Sequence, residues 1–525
     1  MRLPALAMLC VWLSACSSSP QAPPDGPTLV TTDKGPVQGS MSDGIRVWLG
    51  IPFAAPPVGD LRFLPPQDAP AWTATKNAYN VGAECPQLNF GGSTPTLVAG
   101  SAEDCLYVNV WAPQGDVKNA PVFVWIYGGG FTIGSGGDRM YDGENIARTQ
   151  NAIVVTFNYR LGALGWLSHP DLATEEGVTT SPSQGLLDQQ AALKWVHRNI
   201  AAFGGDPNNV TLAGESAGAI SVCAHLAAPG SSALFQHAIV ESGVCFSSVL
   251  FAPPAAANDQ GDRLATAVGC TTPGSILSCL RSKPPEQIIA ALPTREAEFG
   301  ATGDAFGPVV DGAVLPAIPL DAIRAGQFAK VPTIIGTNVN EGDLFMYLWQ
   351  VDKNAPPSST DVRASLALLF SQPQVDLIAA RYPVDTNPPL AFSQIITDGV
   401  FACPARRTAR AIAAAGVPAY LYQFTYPYVV PALGGVVASH SFEIPFVFRN
   451  GFLGAQMSDA ELALADRVDG YWFRFATAGD PNGNQAVAWP AYTEANDTNL
   501  VIDSTIATNV GLKKDACDFW DSITP

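Results

Sequence analysis

The chain has 525 residues, and its 46 acidic against 28 basic side chains give a formal net charge of −18, which argues against nucleic acid or an anionic membrane as a partner through a basic surface. Only 14% of residues are charged and 47% are apolar, a composition of an ordered globular protein and not of a disordered one. Length alone leaves the domain count open, because large α/β enzymes build one continuous sheet over such spans.

Residues 1–15 carry one positive charge, Arg2, followed by an apolar run too short to span a bilayer as a mature helix, so they read as an export signal. The end of that run, Leu13-Ser14-Ala15-Cys16, resembles a bacterial lipobox, which implies cleavage before Cys16 and lipidation of its thiol; an ordinary signal peptide cut nearby is the alternative. Residues 16–29, rich in Ser and Pro, read as a flexible tether. The folded part is therefore expected from 30 to 525, in a bacterial periplasmic or outer-membrane lipoprotein, with secretion as the alternative. Ten cysteines without a C-x-x-C motif argue against a zinc ribbon or a thioredoxin-like site. Setting aside Cys10 and Cys16 leaves eight, an even number that fits bridges in an exported protein.

Gly35–Gly39 and Arg46–Ile51 form the pattern of a small β-meander. A polar loop runs from Cys85 to Cys105, and the alternation after it predicts a strand to Trp111; if the two cysteines pair, loop closure contributes roughly 3 kcal/mol. Val122–Tyr127 and Ala152–Phe157 are short continuous apolar runs, as in strands buried on both faces of a parallel sheet. Between Gln184 and Ala202, Leu186, Leu193, Val196 and Ile200 share one helical face, and Gly204-Gly205-Asp206-Pro207 ends that helix. Further strands are expected at His237–Glu241, Val331–Gly336 and Ala419–Phe424, with helical stretches near 283–292, 361–381 and 404–415. This alternation is that of a single α/β domain with large helical insertions.

Between the Gly204–Pro207 stop and the His237 strand, Val210 opens an apolar run that ends in Gly214-Glu215-Ser216-Ala217-Gly218. This is a G-x-S-x-G elbow, in which a sharp strand-to-helix turn presents the serine hydroxyl. The small, apolar residues that follow, Ala217 to Ala224, suit a helix buried inside an α/β sandwich. A serine nucleophile needs a base, an acid to orient the base, and donors for the oxyanion. Of the five histidines, His169 and His197 precede Ser216, and His225 and His237 follow it too closely to loop back, which leaves His440. An acid placed between elbow and base, after a later strand, is Glu341, with Asp343 as the alternative. Tyr127-Gly128-Gly129-Gly130-Phe131 follows a buried strand and can bring backbone N–H groups to an oxygen, with Ala217 as a further donor. A nucleotide cradle does not fit that loop, since neither dinucleotide nor P-loop spacing can be written there.

In order, Glu103-Asp104-Cys105-Leu106, the triple glycine, Phe157-Asn158-Tyr159-Arg160-Leu161-Gly162, Gly204–Pro207, the elbow, Asn340-Glu341-Gly342 and Glu443-Ile444-Pro445-Phe446 resemble the type-B carboxylesterase/lipase family, also called cholinesterase-like, from about Val30 to Trp520. The resemblance implies an α/β-hydrolase fold: a large mixed, mostly parallel central sheet flanked by helices. It implies Ser216 as nucleophile, Glu341 as acid, His440 as base, and Gly129, Gly130 and Ala217 as the oxyanion hole. It also implies disulfides Cys85–Cys105 and Cys270–Cys279, a third between Cys403 and Cys517 as in the cholinesterase branch, ion pairs Arg62–Glu103 and Arg160–Asp188, and Ser242 behind the triad. Cys223 and Cys245 are left over, either as two buried thiols or as a fourth bridge.

The Cys85–Cys105 loop contains no tryptophan, where the choline-binding branch stacks its cationic ligand, so cholinesterase activity is not expected. Residues 302–306 stand where that branch places bulky aromatics, which points to a roomier or more polar acyl pocket. The expected function is hydrolysis of a small-molecule carboxylic ester through an acyl-serine, with no metal or cofactor and no membrane contact beyond the anchor at Cys16. The alternatives are a non-catalytic adhesion module of the same fold and a hydrolase of amides, carbamates or thioesters.

Overall fold

The structure, a computed structural model, describes residues 28–89, 96–246, 250–292, 306–430, 433, 435–484 and 487–524. The expected signal, most of the tether, Cys16 and residues 302–305 lie outside the described residues. In chain order the strands are β1 (Leu29–Thr31), β2 (Pro36–Gln38), β3 (Ser40–Ser42), β4 (Ile45–Pro52), β5 (Lys76–Asn77), β6 (Leu88–Asn89), β7 (Thr96–Leu97), β8 (Tyr107–Ala112), β9 (Ala120–Ile126), β10 (Ile153–Phe157), β11 (Gly205–Glu215), β12 (His237–Glu241), β13 (Thr333–Asn338), β14 (Ala419–Phe424), β15 (Thr498–Ile502) and β16 (Ala507–Val510). One sheet of eleven strands runs in the order β16-β15-β14-β13-β12-β11-β9-β10-β8-β4-β3.

The stretch from β10 through β9, β11, β12, β13 and β14 to β15 is parallel throughout, and the antiparallel pairs lie at the two ends. The central strands are the ones whose sequences are unbroken apolar runs, such as Val122–Ile126 and Ile153–Phe157, and those side chains are fully buried. Helices cover both faces of such a sheet, so neither face presents polar residues to water. This is the expected large mixed sheet with helical insertions.

The expected helix over 361–381 is two helices, Ser359–Ala367 and Gln372–Arg381, each with a serine capping box, at Ser358 and Ser371. Pro373 in the first turn of the second explains the break, since proline is tolerated there but not in a helix interior. The expected stretch near 283–292 is shorter, Pro285–Ile289. The central-sheet strands β15 and β16 were not expected, nor were the short strands β1, β5, β6 and β7 outside that sheet.

Among the described residues four disulfides are formed: Cys85–Cys105, Cys223–Cys245, Cys270–Cys279 and Cys403–Cys517. The pair left open by the sequence is thus a bridge, tying the helix after Ser216 to the segment after β12. Both inferred ion pairs are present: Arg62 meets Glu103 through Nε and Nη2 at 2.6 and 2.5 Å, and Arg160 meets Asp188 twice at 2.7 Å with both side chains buried. Bidentate geometry of this kind is what makes a buried pair tolerable.

Candidate active site

Ser216 stands between β11 and the helix Ala217–Ala227 at φ 55°, ψ −124°, a conformation an L-residue adopts only when its surroundings enforce it. The enforcement is visible. The Ser216 N–H donates to the Glu241 carbonyl at 3.0 Å, while Ser216 O accepts from Ile220 N–H at 2.9 Å. A Cβ on Gly218 would fall 1.9 Å from the Ile126 carbonyl oxygen, and one on Gly214 would fall 2.7 Å from the Gly218 carbonyl carbon. Each glycine of the elbow is therefore required by a backbone that passes against it.

Beside the elbow, β9 pairs with β11 in register, Gly214 opposite Ile126, so the triple glycine that follows β9 arrives next to Ser216. A Cβ on Gly128 would lie 3.0 Å from the Ser216 Cβ. Gly129 and Gly130 have φ of 106° and 59°, which glycine adopts without strain. Neither N–H donates a backbone hydrogen bond among the described residues, and the Ala217 N–H, first in its helix, has no intrahelical acceptor. The three amides are thus available to an oxygen held over Ser216.

Glu341 begins the helix Glu341–Lys353 directly after β13. Its Oε2 faces His440 Nδ1 at 2.7 Å. Its Oε1 accepts from Ser242 Oγ at 2.6 Å, Thr337 Oγ1 at 2.8 Å and the Asn338 N–H at 2.6 Å. Three donors on one oxygen hold the carboxylate in a single orientation with the other oxygen turned to the imidazole. Asp343 does not compete: its Oδ1 is engaged by Ser393 Oγ at 2.5 Å. The inference that Ser242 lies behind the triad is met by its hydrogen bond to Glu341 Oε1 at 2.6 Å.

His440 comes from the segment that follows β14, and its ring lies against Phe345 and Phe401 at centroid distances of 4.9 and 4.8 Å. On the other side its Nε2 is 3.2 Å from Glu215 Oε1, an oxygen that accepts a hydrogen bond from Ser441 Oγ at 2.6 Å. His225 and His237, set aside in the sequence, are indeed elsewhere. The His225 ring nitrogens meet Ser231 Oγ at 2.8 Å and Gln189 Oε1 at 3.0 Å, and burial holds its pKa down at about 3.

The sequence reading did not find a set of buried carboxyls around this centre. Burial raises Glu215 to about 7, against the opposing pull of His440 and Ser441. Burial likewise raises Glu241 to about 8, although Trp472 Nε1 donates to its Oε1 at 2.7 Å. Glu443 is raised well above the ordinary carboxyl range by burial and then by Glu215, Glu241 and Glu341, while Asn338 donates to it. Like charges crowded in low dielectric disfavour ionisation of their neighbours. The signal was present: an acid at the end of an apolar strand, as in β11 and β12, is a costly placement that usually has a partner.

An apolar cavity of about 310 Å³ lies behind the π-helical stretch Ile396–Ala402 and is lined by Ile396, Gly399, Val400 and Trp520 among others. It shares that stretch with Phe401, but Ser216, Glu341 and His440 do not line it. Among the described residues there is no cluster of three or more His, Cys, Asp or Glu arranged to hold a metal ion.

Residues 26–520 match the family model described as the carboxylesterase family. The chain is 37% identical over 494 residues to a para-nitrobenzyl esterase of Bacillus subtilis, covering 91% of this chain and 95% of that protein. It is 34% identical to a fumonisin B1 esterase of Sphingopyxis macrogoltabida, over 95% of this chain and 91% of that one, and 34% identical to a mouse cholinesterase, over 95% and 87%. Among solved structures it is similar to a para-nitrobenzyl esterase at a TM-score of 0.81 and 35% identity, covering 94% of this chain and 99% of the other.

Proposed function

The chain belongs to the carboxylesterase family and is a serine-type carboxylic-ester hydrolase, and we propose that Ser216, His440 and Glu341 carry out that reaction on small to medium esters. The observation that supports this assignment is the Glu341–His440 contact of 2.7 Å beside a serine held at positive φ. In the proposed sequence His440 Nε2 takes the Ser216 proton as Oγ attacks the ester carbonyl. The tetrahedral oxyanion is held by the amides of Gly129, Gly130 and Ala217, each such donor lowering the barrier by roughly 3 kcal/mol. Glu341 fixes the imidazole tautomer and stabilises the cation that forms. His440 then protonates the leaving alcohol and deprotonates the water that cleaves the acyl-enzyme.

A Ser216→Ala protein should lose p-nitrophenyl acetate hydrolysis, and an organophosphonate should label Ser216 in the unaltered chain. Undiminished hydrolysis by Ser216→Ala refutes the assignment. We further propose export and lipidation at Cys16, supported by the Leu13–Cys16 motif and the Ser/Pro-rich segment after it. Metabolic labelling with an alkynyl fatty acid should mark the unaltered chain and fail on Cys16→Ala; equal labelling of both refutes the anchor.

A further inference from the structure

The helix Asp459–Ala478 forms one wall of a groove of about 570 Å³ that none of Ser216, Glu341 and His440 lines. Two arginines, Arg467 and Arg474, converge on it from positions seven residues apart, about 10 Å along a helix axis. In a chain of net charge −18 arginines normally find carboxylates, yet neither of these forms an ion pair among the described residues. They are held by neutral carbonyls. Arg467 Nη2 donates to Ser504 O at 3.0 Å and its Nε to Ala463 O at 3.4 Å; Arg474 Nε donates to Pro481 O at 2.7 Å. A carbonyl partner orients a guanidinium without neutralising its charge, so the remaining N–H groups stay free to bind an anion.

The surroundings of Arg474 are shaped to its side chain. A Cβ on Gly470 would lie 2.9 Å from its Nη1 and one on Gly483 would lie 2.7 Å from its Cδ, and its guanidinium rests 4.9 Å from the centre of the Tyr471 ring. Nearby acids take their short-range contacts elsewhere, although the charge of Asp480 is felt at Arg474. Asp466 pairs with Arg449, and Asp480 Oδ1 accepts from Asn482 N and Nδ2 at 2.9 and 2.7 Å.

We propose that this groove binds a small ligand carrying two oxyanion groups, phosphate or carboxylate, one on Arg467 and one on Arg474. The span of the two arginines selects a molecule with separated anionic ends, and the absence of a side chain at Gly470 lets the Arg474 guanidinium lie against the helix. Binding is independent of ester chemistry.

The test is calorimetric titration of the full chain with fructose bisphosphate, fructose monophosphate and succinate at constant ionic strength. Protein emission gives a second readout, since Trp489 lies 5.7 Å from Tyr471 and 6.0 Å from Trp472. The bisphosphate should saturate, the monophosphate should bind about tenfold more weakly, and Arg467→Gln should weaken the bisphosphate by at least about tenfold, one guanidinium contact being worth about that factor. Arg474→Gln should abolish binding, and Ser216→Ala should bind as the unaltered chain does. Succinate equal to the bisphosphate supports a dicarboxylate occupant, and weaker succinate a phosphate ester. No saturable binding of any probe, equal affinity for the two phosphates, or unchanged affinity in Arg467→Gln overturns the proposal. Arg467 is exposed, so that variant should fold.

Discussion

Replacing Glu341 by Gln removes a charge and keeps the shape, and the surroundings of this side chain fix how the amide must sit. Oε1 receives hydrogen bonds from Ser242 Oγ, Thr337 Oγ1 and the Asn338 N–H. An amide nitrogen placed there would face three donors, so the carbonyl oxygen takes that position and the NH₂ turns to His440 Nδ1. Nδ1 then has to accept, which moves the imidazole proton to Nε2 and leaves no base for Ser216. The lost charge adds to this: two unit charges about 4 Å apart at an effective dielectric of about 20 interact by about 4 kcal/mol, which is about three decades in rate. Wrong tautomer and lost charge act on the same step, so their costs overlap. The expected fall in kcat is therefore between about 10³ and 10⁴-fold, with KM changed by less than about threefold because the imidazolium forms only in the transition state. Steady-state hydrolysis of p-nitrophenyl acetate gives both constants, and the melting temperature checks folding. A kcat within about tenfold of the unaltered chain, with folding intact, refutes the reasoning. So does a larger loss in Asp343→Asn, whose carboxylate, among the described residues, takes its hydrogen bond from Ser393.

Removing the Cys223–Cys245 bridge by a double alanine substitution should cost roughly 3 kcal/mol, and removing Cys403–Cys517, which closes a loop of 114 residues, roughly 5 kcal/mol; denaturant midpoints that fall in the reverse order would refute the loop-entropy account. Stability should decline as pH rises from about 6.5 to 8. Glu215 and Glu241 keep their protons in the folded chain to about 7 and about 8, while their unfolded counterparts have already released them, so the unfolded state binds fewer protons over that window. His225 acts in the opposite sense but only below its ordinary 6.5. Glu241→Gln should flatten the decline, and a melting temperature that rises over the same window would contradict it. Gly218→Ala should abolish activity and soluble expression together, given the 1.9 Å approach to the Ile126 carbonyl oxygen; an active, folded Gly218→Ala enzyme would show that the elbow relaxes freely.

The site was legible where chemistry leaves few candidates. Five histidines, a fixed chain order and one elbow leave a single candidate base and two candidate acids, Glu341 and Asp343, and the buried central strands announced themselves as unbroken apolar runs. What stayed hidden has physical reasons. In β16 all four residues are exposed, so no apolar pattern marks it, and β15 opens on two polar residues, Thr498 and Asn499, that are nevertheless buried. Glu241 carries the signal of an acid ending an apolar strand but not the identity of its partner, and Glu443 looks like an ordinary acid; only the folded arrangement brings them to Trp472 and Asn338. Phe345 and Phe401, the rings against His440, are indistinguishable in sequence from core aromatics. The ion pairs Arg62–Glu103 and Arg160–Asp188 followed from the family resemblance, since spacing alone does not join residues 41 and 28 positions apart.

The bridge from Cys403 to Cys517 also sets an order of assembly. Cys403 follows directly on the π-helical stretch whose Phe401 rests on His440, and that stretch is packed by the C-terminal helix Lys514–Ile523: Trp520 lies within 2.9 Å of where a Gly399 side chain would begin. Arg407 and Arg410, one and two turns further on, clasp Asp521 at 2.6 Å. A chain emerging from the ribosome or a translocation pore has Ser216, Glu341 and His440 out well before residue 517 follows, yet the aromatic support of His440 is unfinished until then. Premature termination, or a bulky fusion joined tightly after Ile523, would thus reach the His440 imidazole through the last helix, with Ser216, Glu341 and the triple-glycine loop all intact.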